Sequence, residues 1–447
     1  HGYVCITAHT SHASDANLAT SDSAYWNQMT AGSTTGLPDQ TGQAGEYLKT
    51  DGATATWEAI VSDPTMGGDM SGTTSNAQIV PGAVDTAEMA NDAVNITKLN
   101  VTDGTSGQAL MTDGSGTMTF GEQNSQQDGF DQMDYALERG VNFFDTAEVY
   151  PVMPRKETYG KTEEIIGNWF KQRKNRSKII LASKIASKTE DDLPWIREGA
   201  QKLGFDKKNM NAAIDASLQR LQTDFIDLYQ LHWPERKIAK FGKMDFEFDP
   251  NDNKWTQIEE VLENLNDLVK VGKIRYVGLS NETPWGVMKF LQVAKEKSLP
   301  RMMSIQNAYN LVNRVFDISN SEVSIREECG LLAYSPLAGG RLSGKYINQQ
   351  PKNARYTLWP KRFDRHHTVR GEKAIAKYVD LAKKYNIAPS TFANAYVNDR
   401  PFVTSNIIGA TTIEQLRENI DSIDITLSNE ILHEIEDIHL SDPNPCV

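Results

Sequence analysis

From residue 116 onward the chain repeats one alternation: a short continuous apolar run, then a stretch with apolar residues at helical spacing. The runs are Asn142–Asp145, Ile179–Lys184, Phe225–His232, Ile274–Ser280, Met302–Gln306, Leu331–Ser335 and Asn406–Gly409. Between them lie helical patterns at Thr162–Lys174, Met210–Leu221, Gln257–Val271, Trp285–Lys297 and Glu372–Tyr385. The runs do not alternate apolar with polar, as expected of strands covered on both faces. Strict strand–helix alternation predicts a parallel sheet with helices outside it. Thr162 is the expected cap of its helix, with Glu163 and Glu164 suited to the positive helix end. Seven strands are visible where a closed barrel needs eight. The fold class expected is therefore α/β, a (β/α)8 TIM barrel over residues 116–447 with an atypical or missing first strand.

Residues 1–115 have a different character. They hold 2 basic against 13 acidic residues, a net of −11, whereas the rest of the chain carries a net of only −2. Such acidity argues against a nucleic-acid arm, because phosphate binding needs clustered Lys and Arg. Large apolar residues are sparse and no long segment has helical periodicity. Short units recur instead. Thr-Gly-Gln-Ala at 41–44 precedes Asp51-Gly52, and Ser-Gly-Gln-Ala at 106–109 precedes Asp113-Gly114. Asp-Gly between β-prone runs is a hairpin signal. Ala83-Val84 recurs as Ala93-Val94. These units, with Gly67–Gly72 and Asn76–Ile79, resemble phage tail-fibre repeats, which implies a β-prone fibrous segment and a homotrimer built through it. The alternative is a flexible polar leader.

Several classes fall away. No apolar stretch is long enough for a membrane-spanning helix. No basic and apolar leader stands behind His1, and Cys5, Cys329 and Cys446 are too scattered for a disulfide framework. A cytoplasmic location is expected, with a virion as the alternative. Gly339-x-x-x-x-Gly344-Lys345 has the outline of a phosphate-binding loop, but Tyr346 follows where Ser or Thr should hold magnesium. His366-His367 lacks further ligands at metal-binding spacing, so no metal is expected. Asn95-Ile96-Thr97 matches a glycosylation sequon, without a secretory context to give it meaning.

In a barrel of this kind the site lies at the carboxyl ends of the strands. Those ends carry Asp145 (with Tyr150 five residues on), Lys184, His232, Ser280-Asn281 and Gln306. Each has an ordinary reading alone: a helix cap, a loop aromatic, a solvated strand end, a satisfied histidine. Together they can shift one another's proton affinities, and a phenol beside an ammonium suits proton donation to a carbonyl oxygen.

Ordered motifs across this half resemble the aldo-keto reductases of the Tas-like and potassium-channel-β-subunit-like branch. They are Gly116–Gly121, NFFDTAEVYP (142–151), LASK (181–184), QLHWP (230–234), IRYVGLSNE (274–282), SIQNAYN (304–310), LLAYSPLAGGRLSGKY (331–346) and IIGATTIEQLREN (407–419). The resemblance implies a catalytic tetrad of Asp145, Tyr150, Lys184 and His232. It implies NADPH-dependent reduction of small aldehydes or ketones, with Tyr150 as general acid and Lys184 lowering its pKa. For the cofactor it implies Ser280, Asn281 and Gln306 at the carboxamide and Tyr334 stacked on the nicotinamide. Ser335, Pro336, Leu337, Ala338 and Gly339 would line the pyrophosphate, and Lys345 and Arg355 would lie near the 2′-phosphate. Thr411, Gln415, Glu418 and Asn419 would receive the adenosine end.

One departure stands out. Where the family has an apolar first strand, this chain has the polar Leu110–Ser115 with its Asp113-Gly114 turn signal. Barrel closure is thus an open question, and a virion structural protein carrying a non-catalytic barrel is the rival reading. The loop Pro234–Lys254, with Phe241, Phe246 and Phe248, is placed to select substrate, and Trp233, Trp255 and Trp359 are candidates to wall a pocket.

Overall fold

The computed structural model describes residues 46–50, 55–59, 70–73, 76–79, 109–112, 118–121 and 124–446, apart from 153, 189–192, 198–201, 353 and 359–363. The chain divides into two units, His1–Thr102 and Asp103–Val447. In the first, β1 (Glu46–Thr50) pairs antiparallel with β2 (Ala55–Ala59), bracketing Asp51-Gly52 and setting Leu48 opposite Trp57. β3 (Met70–Thr73) pairs the same way with β4 (Asn76–Ile79). The Ala-Val repeats, the Asn95 sequon, Cys5 and Trp359 lie outside the described residues.

The second unit opens with another antiparallel hairpin, β5 (Ala109–Thr112) with β6 (Met118–Gly121), around Asp113-Gly114. Seven parallel strands follow: β7 (Phe143–Asp145), β8 (Ile180–Ile185), β9 (Ile226–Leu231), β10 (Ile274–Ser280), β11 (Met302–Ala308), β12 (Gly330–Tyr334) and β13 (Val403–Ile407). They lie side by side in chain order, which is the order of a TIM barrel. Helices separate them: α1 (Gln126–Glu138), α2 (Lys161–Arg173), α3 (Lys207–Leu221), α4 (Ile258–Lys270), α5 (Pro284–Lys297) and α6 (Asn320–Arg326). α7 (Val369–Lys384) and α8 (Pro389–Asn398) precede β13, and α9 (Ile413–Asp421) and α10 (Asn429–Ser441) close the chain.

Local chemistry accounts for most helix starts. Ser125 and Asp128 form a reciprocal capping box at α1. The side chains of Asp206, Thr283, Thr368, Thr412 and Ser428 each accept from an amide in the first turn that follows. The expected Thr162 cap is corrected. α2 begins earlier, after Gly160, whose left-handed backbone (φ 76°) turns the chain into the helix without a side-chain cap. The last stave also runs earlier than Asn406–Gly409, because the half-exposed Val403–Ser405 pairs with β12.

The barrel is not closed by its sheet. β7 and β13 are its two ends, and among the described strands none pairs between them. Met118–Gly121, in the stretch where the first stave was expected, pairs with Ala109–Thr112 instead. Ala109–Thr112 is a partner close by in the chain, and the polar Thr112–Ser115 stretch ahead of Met118–Gly121 suits a stave buried on both faces poorly. The outer layer does meet across the gap. Ala136 of α1 packs on Leu416 and Ile420 of α9. Arg139 pairs with Asp421 at 2.7 Å. The Asn124 amide donates to the Thr411 carbonyl at 2.8 Å.

Strand periodicity sorts the interior into layers. Phe143, Ala182, Leu228, Leu332 and Ile407 form one apolar cluster. Two residues further along four of those strands, on the same face, stand Asp145, Lys184, Gln230 and Tyr334. The barrel is thus greasy below and polar at its carboxyl end, where the chemistry would lie.

Candidate active site

Lys184, at the end of β8, is fully buried, and burial works against its charge. Asp145 and Tyr150 outweigh that penalty and hold the ammonium above its ordinary range. Its Nζ donates to Asp145 Oδ2 at 2.5 Å and to the Thr146 carbonyl at 2.8 Å. The other carboxylate oxygen of Asp145 accepts from the amides of Gln230 at 3.0 Å and Gln306 at 2.8 Å. Three staves thus donate to one carboxylate. A shared acceptor of this kind fixes an ammonium in place as well as in charge.

Tyr150 stands in the loop after β7, with the Lys184 Nζ 4.9 Å from its ring centroid. Burial raises the phenol above its ordinary value, and Asp145 adds to the rise; the nearby Lys184 charge pulls it back only in part. The expected lowering by Lys184 is present as a contribution, while the net direction is upward because desolvation is the larger effect. A phenol held protonated beside a fixed ammonium remains a proton donor.

His232 follows β9. Its ring meets Tyr150 edge to face at 5.5 Å and Trp233 at 4.6 Å. Burial, and then the Lys184 charge, push its pKa well below the ordinary 6.5, so the imidazole is neutral. Its Nδ1 is buried without a hydrogen-bond partner in the protein. The backbone carbonyl of His232 accepts from the Asn281 amide at 2.9 Å, and Asn281 Oδ1 accepts from the Tyr334 hydroxyl at 2.6 Å. Asn281 (φ 54°) and Ser335 (φ 58°) hold left-handed backbone at the ends of β10 and β12, a conformation that clusters at functional loops. The Ser280 hydroxyl donates to the Gln306 carbonyl at 2.9 Å.

These groups border one cavity of about 2870 Å³. Its walls include Asp145, Tyr150 and His232, then Ser280, Asn281, Gln306 and Tyr334. It continues past Ser335, Pro336, Leu337 and Gly339 to Lys345 and Arg355, and reaches Thr411, Gln415, Glu418 and Asn419. Two of the sequence-derived residues do not line it. Lys184 is sealed behind Asp145 and Tyr150, and Ala338 is fully buried, its carbonyl accepting from Tyr356. The cavity exceeds the ~300–1,000 Å³ of an ordinary ligand site because it runs on between β7 and β13, past Phe143, Phe144 and Val403–Ile407.

The cavity is rich in cations from Tyr334 to its far end. Burial, and then Arg355, lower the Lys345 pKa. Arg365 lies 5.8 Å from the Tyr334 ring centroid. His366, sealed behind this cluster, is pushed down to about 3 by burial and by Arg365, Arg341 and Arg355. Positive charges crowded into a partly desolvated wall favour an anionic ligand, phosphate above all.

Sequence reasoning missed Gln230 and Arg365. Gln230 had a usable signal, since it shares strand parity with His232. Arg365 had none beyond its charge. Phe241 and Trp233 line the cavity, whereas Phe246 and Phe248 are exposed and Trp255 packs against the core. Among the described residues, no cluster of three or more His, Cys, Asp or Glu could hold a metal, and no helix is long and apolar enough to cross a membrane.

Comparison with known proteins adds a family context. The sequence profile described as "Aldo/keto reductase family" matches residues 114–439. The chain is 44% identical over 337 residues to Protein tas of Escherichia coli, covering 74% of this chain and 94% of that protein. It is 33% identical over 325 residues to the uncharacterized oxidoreductase YrpG of Bacillus subtilis, covering 72% and 90%. It is 30% identical over 336 residues to norsolorinic acid reductase A of Aspergillus parasiticus, covering 72% and 76%.

Proposed function

The chain belongs to the aldo/keto reductase family of oxidoreductases, and from that premise we propose that it reduces the carbonyl of small aldehydes or ketones with NADPH. The observation that carries this reading is a single cavity with Tyr150, His232 and Asp145 at one end, the buried Lys184 held behind them by Asp145, and Lys345 and Arg355 at the other. A nicotinamide dinucleotide, when bound, supplies the hydride. Ser280, Asn281 and Tyr334 would hold its nicotinamide end, and Lys345 with Arg355 the phosphate that distinguishes NADPH from NADH. Gln306 has a second duty, since its amide already donates to Asp145.

The chain's own residues then act on the carbonyl oxygen. Negative charge develops there, and donors already aimed at it stabilise that charge without reorganising. Tyr150 donates its proton to that oxygen and becomes a phenolate beside the Lys184 ammonium, which Asp145 keeps in place. His232, neutral, holds the carbonyl in position by a hydrogen bond. Trp233 and Phe241 give the acceptor end of the cavity an apolar wall. The Aspergillus relative is named as a reductase of norsolorinic acid, which supports reduction as the direction of the reaction.

The test is a titration of the full-length protein with NADPH and with NADH, followed by intrinsic fluorescence and by melting temperature. NADPH should quench the fluorescence and stabilise the protein, and NADH should do so more weakly. No response to either would remove the enzyme reading.

A further inference from the structure

Beside the tetrad lies a buried ion pair that the proposed chemistry does not use. Glu148, 1% exposed, stands two residues before Tyr150. Its Oε1 accepts from the Ala186 amide at 2.6 Å and from Arg197 Nη2 at 2.7 Å, and its Oε2 accepts from Arg197 Nη1 at 2.5 Å. Arg197, 6% exposed, is itself held by its Nε donating to Asn209 Oδ1 at 3.1 Å.

The backbone around this pair extends the parallel ladder beyond the end of β7. The Thr146 amide donates to the Ala182 carbonyl at 2.9 Å, and the Glu148 amide to the Lys184 carbonyl at 3.2 Å. The segment carrying Tyr150 is therefore laid along the segment carrying Lys184, and the Glu148 carboxylate pins it one step further on, at Ala186. Ala147, Val149, Ala186, Ile196 and Trp233, with Tyr150 against them, form a small apolar cluster of their own.

We propose that the Glu148–Arg197 pair is a positioning device that sets the Tyr150 hydroxyl against Lys184. Two buried charges are a poor means of stabilising a fold, because desolvation consumes most of what their attraction returns. A fork-to-fork pair does fix angle and distance, and this one sits on the loop whose geometry the proton transfer needs. The inference rests on the reading of Tyr150 given above. Glu148 and Arg197 touch neither substrate nor cofactor in that scheme; they act through the loop.

The experiment uses the full-length protein, NADPH and 4-nitrobenzaldehyde as the carbonyl probe. Glu148→Gln keeps an acceptor for Ala186 and loses the ionic fork. It should lower kcat roughly tenfold to a hundredfold, the scale of misplacing a reacting group by up to about 1 Å, while KM for the aldehyde and Kd for NADPH stay unchanged. Glu148→Gln/Arg197→Met removes both charges, so it should regain the melting temperature lost by the single variant and still show the low kcat. Asp227→Asn is the control. It breaks the pair of buried Asp227 with Arg176 at 2.8 Å, at the amino end of β9 and away from the Tyr150 loop, and it should lower the melting temperature with little change in kcat. If Glu148→Gln does not fold, Arg197→Lys, which keeps the charge and loses the fork, takes its place in the same comparison.

Turnover that follows melting temperature across the whole set would overturn the proposal, as would a normal kcat in the Glu148 variants. Tyr150→Phe, assayed in parallel, separates this inference from the one beneath it. If Tyr150→Phe is inactive and the Glu148 variants are normal, only the positioning role falls; if Tyr150→Phe turns over normally, the general-acid assignment itself falls.

Discussion

β9 and β13 are staves of one sheet, yet their surroundings differ in every respect that neighbours control. β9 is paired on both sides and all of its residues are buried. β13 is paired on one side only, and its residues are half-buried or exposed. β7, at the other end of the sheet, is three residues long and half-buried throughout. The difference teaches how an incomplete barrel can still present a complete rim. In the middle the ring is held by backbone hydrogen bonds. Across the gap it is held outside by α1 on α9. Inside, it is held by Asp145, an edge residue whose carboxylate takes bonds from β8, β9 and β11. The side chains that would do the chemistry thus also brace the open edge.

The strongest challenge to this comparison is to cut the brace. Lys184→Met should lower kcat by about 10²–10⁴-fold, the whole contribution of general acid catalysis that the ammonium sustains. Steady-state NADPH oxidation measures it, and near-normal turnover would mean that the interior brace is not the active centre. Next in size is the contrast between middle and edge. Ile226→Ala, in a fully paired stave, should cost ~2–5 kcal/mol in urea unfolding. Val403→Ala, at the edge, should cost about 1 kcal/mol or less. Equal costs would show that β13 is packed as tightly as the centre.

Smaller effects sharpen the account of the far end of the cavity. Lys345→Ala should weaken NADPH about tenfold, the scale of one charge-assisted contact, and leave NADH affinity unchanged. A uniform loss for both would detach Lys345 from the 2′-phosphate. The least effect concerns pH. His366 has a folded pKa of about 3, below its ordinary 6.5. The folded state therefore binds fewer protons, and the contribution is present above pH 6.5 and lost as pH falls towards 3. Over that window the melting temperature of His366→Asn should fall less steeply than that of the native protein. Parallel slopes would contradict the burial of a neutral imidazole there.

Much of this was legible in the residues, for stated reasons. The runs that become β8 to β12 mark those strands close to their ends, because strands covered on both faces must be continuously apolar. The same rule places β13 too late, since an edge stave can include Thr404 and Ser405 while the apolar Ile407-Ile408 reaches past its end. Asp145, Tyr150 and His232 were legible as reactive types at strand ends. Gln230, an amide inside a strand, carries no chemical flag, although parity sets it beside His232. The pairing of Met118–Gly121 could be anticipated only as a weakness in the first stave. Whether an Asp-Gly turn wins over two distant parallel neighbours depends on long-range contacts that local sequence does not encode.

The central claim is that a phenol, braced by an ammonium and a carboxylate, protonates a carbonyl beside a bound dinucleotide. Its most direct test is Tyr150→Phe, with NADPH oxidation by 4-nitrobenzaldehyde and NADPH binding measured on the same preparation. Turnover should fall by about 10²–10⁴-fold while NADPH binds as it does to the native protein. Turnover near the native level, with binding intact, would contradict the account.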